Sequence, residues 1–373
     1  MPEAGSKRAG LGLAGSRSVT YVAAFVVVFA VLAILQPDKF LSRTNIQQMA
    51  FQFPEFGVLA LAMMIAMLSG GIDLSITFAA NLAGIVSALV LLALSYGGSV
   101  DFKNLLKGIM AEGVAPTAVA VPTGVAMLGI VALAVLVAVA VAGLCGLLNG
   151  VLVAKVKIPP ILATLGTMKL YEGISMVITR GSPVTSFPKA FLFLGSGSLL
   201  HIPVPLIVFA VCALGVALFL KKTPLGFSIY AVGENPIAAR FSGLRNDRIL
   251  VKTYLATGLL VGVATVLMIA RVDSVKVGYG NSYLLQAVLV VILGGVSTRG
   301  GSGTVLGVVF GILILRMIAS GFNIIGFSNY FRNVIWGSML ILVTIANNTV
   351  PAIVERLKAR RKSRSSATAG APR

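Results

Sequence analysis

Ten apolar segments, separated by short polar stretches, constrain the fold of this chain more than any other feature of its sequence. A helix needs about 20 predominantly apolar residues to cross the hydrocarbon core of a bilayer. Only 11% of the residues are charged, whereas soluble domains need about 25% to cover a water-facing surface. We therefore predict an all-α polytopic membrane protein with spans at roughly 20–36, 48–69, 74–95, 124–148, 159–178, 203–220, 253–270, 284–296, 304–320 and 331–347. The segment at 284–296 is short for a full crossing.

The distribution of lysine and arginine predicts that both termini are cytoplasmic. With the N-terminus inside, 19 of the 30 basic residues fall in inside segments and 8 in outside loops. The chain then divides into a basic tail at 1–19, a transmembrane domain at 20–347 and a basic tail at 348–373, which we expect to lie near anionic lipid. Membrane topology thus accounts for the net charge of +19 without nucleic acid as a partner.

Glycines at helical spacing predict close packing between spans in a glycine-rich bundle. Gly303, Gly307 and Gly311 follow one another at intervals of four, as do Gly258 and Gly262. A Gly-Gly pair followed by a polar break occurs twice, in LSGGIDLSIT at 68–77 and in LGGVSTRGGSG at 293–303. This echo suggests an internal repeat, which is common among transporters.

Residues that would support catalysis or metal binding are missing from the sequence. There is no Walker A phosphate loop and no zinc-protease motif, and the chain has one histidine, His201. Cys145 and Cys212 both lie in apolar runs, which favours buried side chains over a disulfide or a metal site. We predict no enzymatic activity, no catalytic or metal site and no cofactor bound by this chain.

The longest polar stretch between spans, 221–252, contains the motif GENPIAARFSGL. Asn235 is suited to cap a short helix, Pro236 to its first turn and Gly243 to its end. Ile237 and Phe241 are four residues apart and share a face. A helix of two turns cannot cross the bilayer and is marginal in isolation, so we expect it to dock on the bundle or on a partner.

Four motifs occur in order between residues 45 and 347: GGIDLS, GLLNGVLVAKVKIPPILATLGTMKLYEGI, YAVGENPIAARFSGL and LGGVSTRGGSGTVLGVVFG. Together they resemble the permease subunits of bacterial ATP-binding cassette (ABC) importers for ribose, xylose and related monosaccharides. The resemblance implies a multi-pass inner-membrane permease that works as a homodimer or heterodimer. It also implies two cytoplasmic ATPase subunits, which hold ATP and magnesium, and an extracytoplasmic sugar-binding protein.

The resemblance gives the 221–252 stretch a role as the coupling loop that docks into the ATPase. The coupling residues would be Gly233, Glu234, Asn235, Pro236, Ala239, Arg240, Phe241 and Gly243. We predict that bulky or charge-reversing substitutions at Gly233 or Glu234 uncouple ATP hydrolysis from transport without unfolding the chain. The outside loop at 95–123 is longer than is usual in this family, and its DFKNLLKGIM segment suggests a short amphipathic helix facing the binding protein.

Polar residues in or beside the spans are candidates to line the translocation path. They are Asp73, Ser75, Asn149, Thr164, Lys169, Tyr171, Glu172 and Gln286. Lys169 and Glu172 are three apart and can form either a path-lining pair or a self-neutralised structural one. For Asp73 we favour a cap at the start of span three, and for Asn149 a cap at the inner end of span four. Arg316 is expected to snorkel toward the outer surface.

Two alternatives from other classes remain open. One is a stand-alone secondary transporter in which Asp73 or the Lys169–Glu172 pair carries a proton, and the other is a channel or scaffold without coupled transport. Within the ABC family the substrate could be a pentose, a hexose, a polyol, a furanose-like signalling molecule or a branched-chain amino acid.

Overall fold

The computed structural model describes residues 21–95, 124–328 and 330–345, and these contain ten apolar helices. They are α1 (Tyr21–Leu35), α3 (Arg43–Leu68), α4 (Ile76–Ser95), α5 (Val125–Ala154), α6 (Pro160–Thr179), α8 (Val204–Lys222), α11 (Asn246–Val272), α12 (Asn281–Leu293), α13 (Val305–Ile325) and α14 (Tyr330–Ile345). Seven are long and apolar enough to cross a membrane, whereas α1, α12 and α14 are shorter. The all-α class and the ten predicted segments are confirmed, and α12 is short as expected, with 13 residues.

The remaining elements are short and were not predicted, apart from the helix of the coupling loop. They are α2 (Pro37–Phe40), β1 (Val184–Thr185), α7 (Lys189–Ser196), β2 (Ser198–Leu199), β3 (Ile202–Pro203), α9 (Pro224–Glu234), α10 (Pro236–Phe241) and β4 (Ser274–Val275). Strand β1 pairs antiparallel with β4, with Val184 opposite Val275, and β2 pairs antiparallel with β3. Strands of two residues are too short to show the alternation that identifies strands in a sequence.

The chain divides into two compact units. The first runs to Phe327 and contains α1 to α13, and the second begins at Ser328 and contains α14. The predictions for residues 1–19, for the DFKNLLKGIM helix and for the basic tail at 348–373 lie outside the described residues.

Helix α3 forms the centre of the first unit. Every residue from Phe53 to Leu68 is buried, as expected for a helix that is apolar on all sides. Helices α4 and α11 are also largely buried, whereas most side chains of α5, α6 and α8 are at least partly exposed. The exposed faces of these three helices are therefore the surfaces available to lipid or to another subunit.

The predicted glycine contacts are present between α5 and α11 and between α12 and α13. A Cβ atom on Gly262 would lie 2.5 Å from Cα of Val139, so the backbones of α5 and α11 touch at this point. A Cβ atom on Gly311 would lie 2.9 Å from the carbonyl oxygen of Val290 in α12. Such close approach excludes any larger side chain.

The coupling stretch is more ordered than the sequence indicated. Helix α11 begins at Asn246, well before the predicted start at 253, and α9 occupies the first part of the loop. Helix α9 buries Ile229 and Val232 against the rest of the unit. Backbone hydrogen bonding continues through polar residues beyond an apolar segment, which is why hydropathy alone placed these boundaries incorrectly.

Candidate coupling site and translocation path

Helix α10 has the ends that the sequence predicts. The side-chain oxygen of Asn235 accepts hydrogen bonds from the backbone N–H groups of Ile237 and Ala238, each at 3.0 Å. Pro236 occupies the first position of the helix. Gly243 follows the helix with a φ of +84°, a conformation that glycine adopts without strain. Caps at both ends stabilise a helix of only six residues.

The apolar side chains of α10 face away from the protein. Phe241 is 90% exposed and Ile237 is 69% exposed, whereas Ala239 is buried against the bundle. The amide of Asn246 donates to the carbonyl oxygen of Pro236 at 2.7 Å and fixes α10 to the start of α11. The helix therefore holds an exposed pair of apolar side chains in a fixed position, as expected of a docking element.

The residues just before α10 contact both Gly-Gly breaks. We call this contact the glycine junction, and it is formed by Gly70, Gly233, Gly300 and Gly301. The N–H group of Gly301 donates to the carbonyl oxygen of Leu68 at 2.9 Å. A Cβ atom on Gly300 would lie 2.7 Å from the backbone nitrogen of Gly70. The segment leading into α10 thus touches the breaks after α3 and after α12 through backbone atoms.

This packing bears on the prediction about substitutions at Gly233. A Cβ atom there would lie 2.6 Å from the backbone nitrogen of Gly301 and closer still to the carbonyl oxygen of Leu68. Any side chain at Gly233 must therefore displace backbone, so we expect substitutions here to lower the stability of the fold as well as to affect coupling. Glu234 is exposed and does not have this constraint.

Asp73, Ser75 and Asn149 form a buried polar cluster at the first break. The carboxylate of Asp73 accepts from the backbone N–H of Ser75 at 3.0 Å and from its hydroxyl at 2.7 Å. The side-chain amide of Asn149 donates to both carboxylate oxygens at 3.3 Å and to the hydroxyl oxygen of Ser75 at 2.7 Å. Ser75, and not Asp73, directly precedes α4, and the Asp73 carboxylate accepts from Ser75 and Asn149 and not from the first N–H groups of the helix, so its predicted role as the cap of α4 is wrong. Asp73 instead bonds across to α5.

Two threonines of α6 complete this cluster. The hydroxyl of Thr167 donates to the side-chain oxygen of Asn149 at 2.6 Å. The hydroxyl of Thr164 lies 3.2 Å from the carbonyl oxygen of Ile72 and closer, at 2.8 Å, to the carbonyl oxygen of Pro160 in its own helix. Asn149 lies within α5, which continues to Ala154, so its predicted role as a helix-end cap is wrong. Its amide instead connects α5 to α6 and to the start of α4.

The other candidates of α6 lie on two different sides of that helix. Lys169 and Glu172 form the predicted pair, with 2.7 Å between Nζ and Oε2, and the side chain of Lys169 is 70% exposed. The hydroxyl of Tyr171 is buried and donates to the carbonyl oxygen of Cys145 at 2.9 Å, which ties α6 to α5. Gln286 is buried on α12, away from this group.

A second buried network, centred on Glu55, was missed by the sequence analysis. Its carboxylate accepts from Nε and Nη2 of Arg271 at 2.8 and 2.7 Å and from the hydroxyl of Tyr283 at 2.7 Å. Nη2 of Arg271 also donates to the hydroxyl of Tyr279. Burial and the nearby Glu55 carboxylate raise the pKa of Tyr279 to about 12. The position of Glu55 inside a predicted span could have indicated this network, because acidic residues within spans seldom lack a partner.

Arg316 has a partner on α3 that the sequence did not predict. Its Nη2 donates to the carbonyl oxygen of Gln52 at 3.0 Å, so the side chain points from α13 toward α3. An arginine within a span can satisfy its donors on a neighbouring helix where a carbonyl group is within reach.

Comparison with known proteins identifies the family. A family model described as "Branched-chain amino acid transport system / permease component" matches residues 45–344. The ribose import permease protein of Bacillus subtilis is 33% identical over 327 residues, covering 87% of this chain and 90% of the relative. The ribose import permease protein of Escherichia coli is 30% identical, covering 87% of this chain and 92% of the relative.

A third relative is named for a different substrate. The autoinducer 2 import system permease protein of Yersinia enterocolitica is 30% identical over 298 residues, covering 78% of this chain and 80% of the relative. No solved structure matches the chain. The family match over residues 45–344 includes both the glycine junction and the capped helix α10. The chain therefore belongs to this family of inner-membrane transport permeases.

Proposed function

We propose that this chain is the membrane-spanning subunit of an ABC importer that carries a monosaccharide or a related polyol. The proposal rests on one observation: α10 follows directly after the glycine junction in the chain. Its exposed Ile237 and Phe241 offer a docking surface, and the adjacent Gly233 touches the backbone at the end of α3 and in the segment between α12 and α13. Displacement of α10 by a docked ATPase would therefore move the helices that flank both breaks.

ATP and magnesium are held by the partner ATPase. When the paired ATPase subunits close on ATP, α10 transmits the motion, and the permease alternates between inward-open and outward-open states. An extracytoplasmic binding protein delivers the substrate. The permease chain needs only a weakly polar path, because tight binding within the membrane would slow release.

The Lys169–Glu172 pair on α6 supports a path beside that helix, formed with a second permease copy. Lys169 and Glu172 lie in the middle of a span, where charged groups are costly when they face lipid. Protein or water must therefore cover this face. Gly166 and Gly173 on the same helix have open space beyond them, which leaves room for a partner or a solute.

The Asp73 cluster supports a positioning role for that residue. Its carboxylate is buried and already accepts bonds from Ser75 and Asn149. It fixes the first break against α5 and α6, and neither sugar contact nor proton transfer is needed to explain an acid here.

Reconstitution of the permease in liposomes with its cognate ATPase and binding protein tests the proposal. Sugar uptake should require ATP and should persist when a protonophore collapses the proton gradient. Uptake without the ATPase that is lost with the protonophore would favour the secondary transporter. Uptake that needs neither ATP nor an ion gradient would favour a channel.

The family description gives branched-chain amino acids as a second candidate substrate class. The relatives named for ribose and autoinducer 2 favour sugars. Thermal shifts of the cognate binding protein with pentoses, hexoses, polyols, autoinducer 2 and leucine distinguish these classes. A shift with leucine alone would overturn the sugar assignment while leaving the ABC mechanism intact.

A further inference from the structure

A cavity of about 460 Å³, which we call the basic cavity, lies between the end of α8, the start of α9 and the start of α11. Phe219, Leu225 and Leu244 contribute its apolar wall, and Arg245, Arg248 and Lys252 contribute its charges. Gly243, which follows α10, also lines it. The basic cavity therefore combines an apolar surface with three cations beside the coupling helix.

The three cations of the basic cavity form no ion pair with the described part of the chain, although Asp247 lies in the same turn as Arg245 and Arg248. None of the residues lining the cavity is acidic. The ion pairs among the described residues join Lys169 to Glu172 and Arg271 to Glu55, so Arg245, Arg248 and Lys252 take part in neither. Three cations that converge on one apolar cavity favour an anionic ligand over a neutral sugar.

The position of the basic cavity indicates that the anion is attached to a lipid. Helix α8 ends with Lys221 and Lys222, which mark the level of the membrane surface. Phe219, in the same last turn, lines the cavity. Leu214 and Leu218 on α8 are 62% and 50% exposed, and their spacing places them on one face along which an acyl chain can lie.

We propose that the basic cavity binds the headgroup of an anionic phospholipid from the leaflet at which α8 ends. The phosphate lies among Arg245, Arg248 and Lys252, and an acyl chain follows α8. Gly243 and Leu244 form part of the wall, so a bound lipid supports the chain directly after α10. The site does not depend on the transported substrate, and it can be tested without the ATPase.

Native mass spectrometry of the full-length permease in detergent measures this binding one lipid at a time. Each basic residue near a membrane surface strengthens attraction to anionic lipid by about fivefold. Wild-type protein should bind phosphatidylglycerol more tightly than phosphatidylcholine, which has the same phosphate and chains but no net charge. The double variant R245Q/R248Q should bind phosphatidylglycerol roughly 25-fold more weakly, with an unchanged melting temperature.

The matched control is K221Q/K222Q, which removes two charges at the same level from residues that do not line the cavity. It should retain most of the affinity of the wild-type protein. Equal losses in the two double variants would overturn the proposal, because they would show attraction to surface charge alone. Displacement of phosphatidylglycerol by an equal concentration of soluble glycerol 3-phosphate would also overturn it, since a free phosphate compound would then suffice.

Discussion

Replacing Phe241 by alanine tests whether α10 is the docking element for the ATPase. Phe241 is 90% exposed in the permease, so the substitution removes little packing from the fold. Burying a phenylalanine side chain contributes about 1.5–3 kcal/mol, and nearly all of that is available to a partner. We expect a loss of about 2 kcal/mol in binding free energy, which is roughly a 30-fold increase in the Kd for the ATPase.

The assay is biolayer interferometry of the cognate ATPase on permease held in lipid nanodiscs. The same preparations report the ATPase rate stimulated by the binding protein. The melting temperature of the F241A permease should equal that of the wild-type protein, while its stimulated ATPase rate falls with the lost affinity.

Phe227 provides the matched control because it is 72% exposed on the adjacent helix α9. The F227A permease should bind the ATPase with nearly wild-type affinity. Unchanged affinity in F241A, or equal losses in F241A and F227A, would refute the assignment of α10 as the docking element.

Substitutions at three further positions, each with a companion variant, probe the packing that supports the site. Glu55→Gln leaves the partly buried Arg271 cation without its carboxylate and should destabilise the permease by about 3 kcal/mol, measured as a fall in melting temperature. The double variant with Arg271→Met should recover part of the loss, and no recovery would mean that the two side chains are not coupled. Gly262→Ala forces α5 and α11 apart and should lower the melting temperature, whereas Gly215→Ala, which has open space beyond it, should leave it unchanged or raise it. Asp73→Asn keeps an oxygen acceptor and should be mild, whereas Asp73→Leu leaves buried donors unpaired at about 1–3 kcal/mol for each group. Normal melting temperatures with abolished uptake in both Asp73 variants would instead indicate a proton carrier.

Local features of the sequence were sufficient to predict the membrane class, the ten apolar helices and the capped helix α10. Span length follows from bilayer thickness, and a cap requires only a few neighbouring residues, such as Asn235, Pro236 and Gly243. These properties depend on residues close together in the chain, so periodicity and composition reveal them. The helix boundaries were less well predicted, because α11 begins in polar residues that hydropathy excludes and α5 continues past Asn149, which suggested a helix end.

Only the tertiary structure decided which polar groups pair inside the bundle. Glu55 and Arg271 are 216 residues apart in the chain, and Asp73 and Asn149 are 76 apart. A buried polar group must find a partner wherever the fold brings one within reach, and that partner leaves no periodic signal in the sequence. The glycine junction also depends on long-range packing, because Gly233 and Gly300 become neighbours only when the end of α9 packs against the two breaks. The sequence by itself determined what crosses the membrane, and long-range packing determined how the coupling helix connects to it.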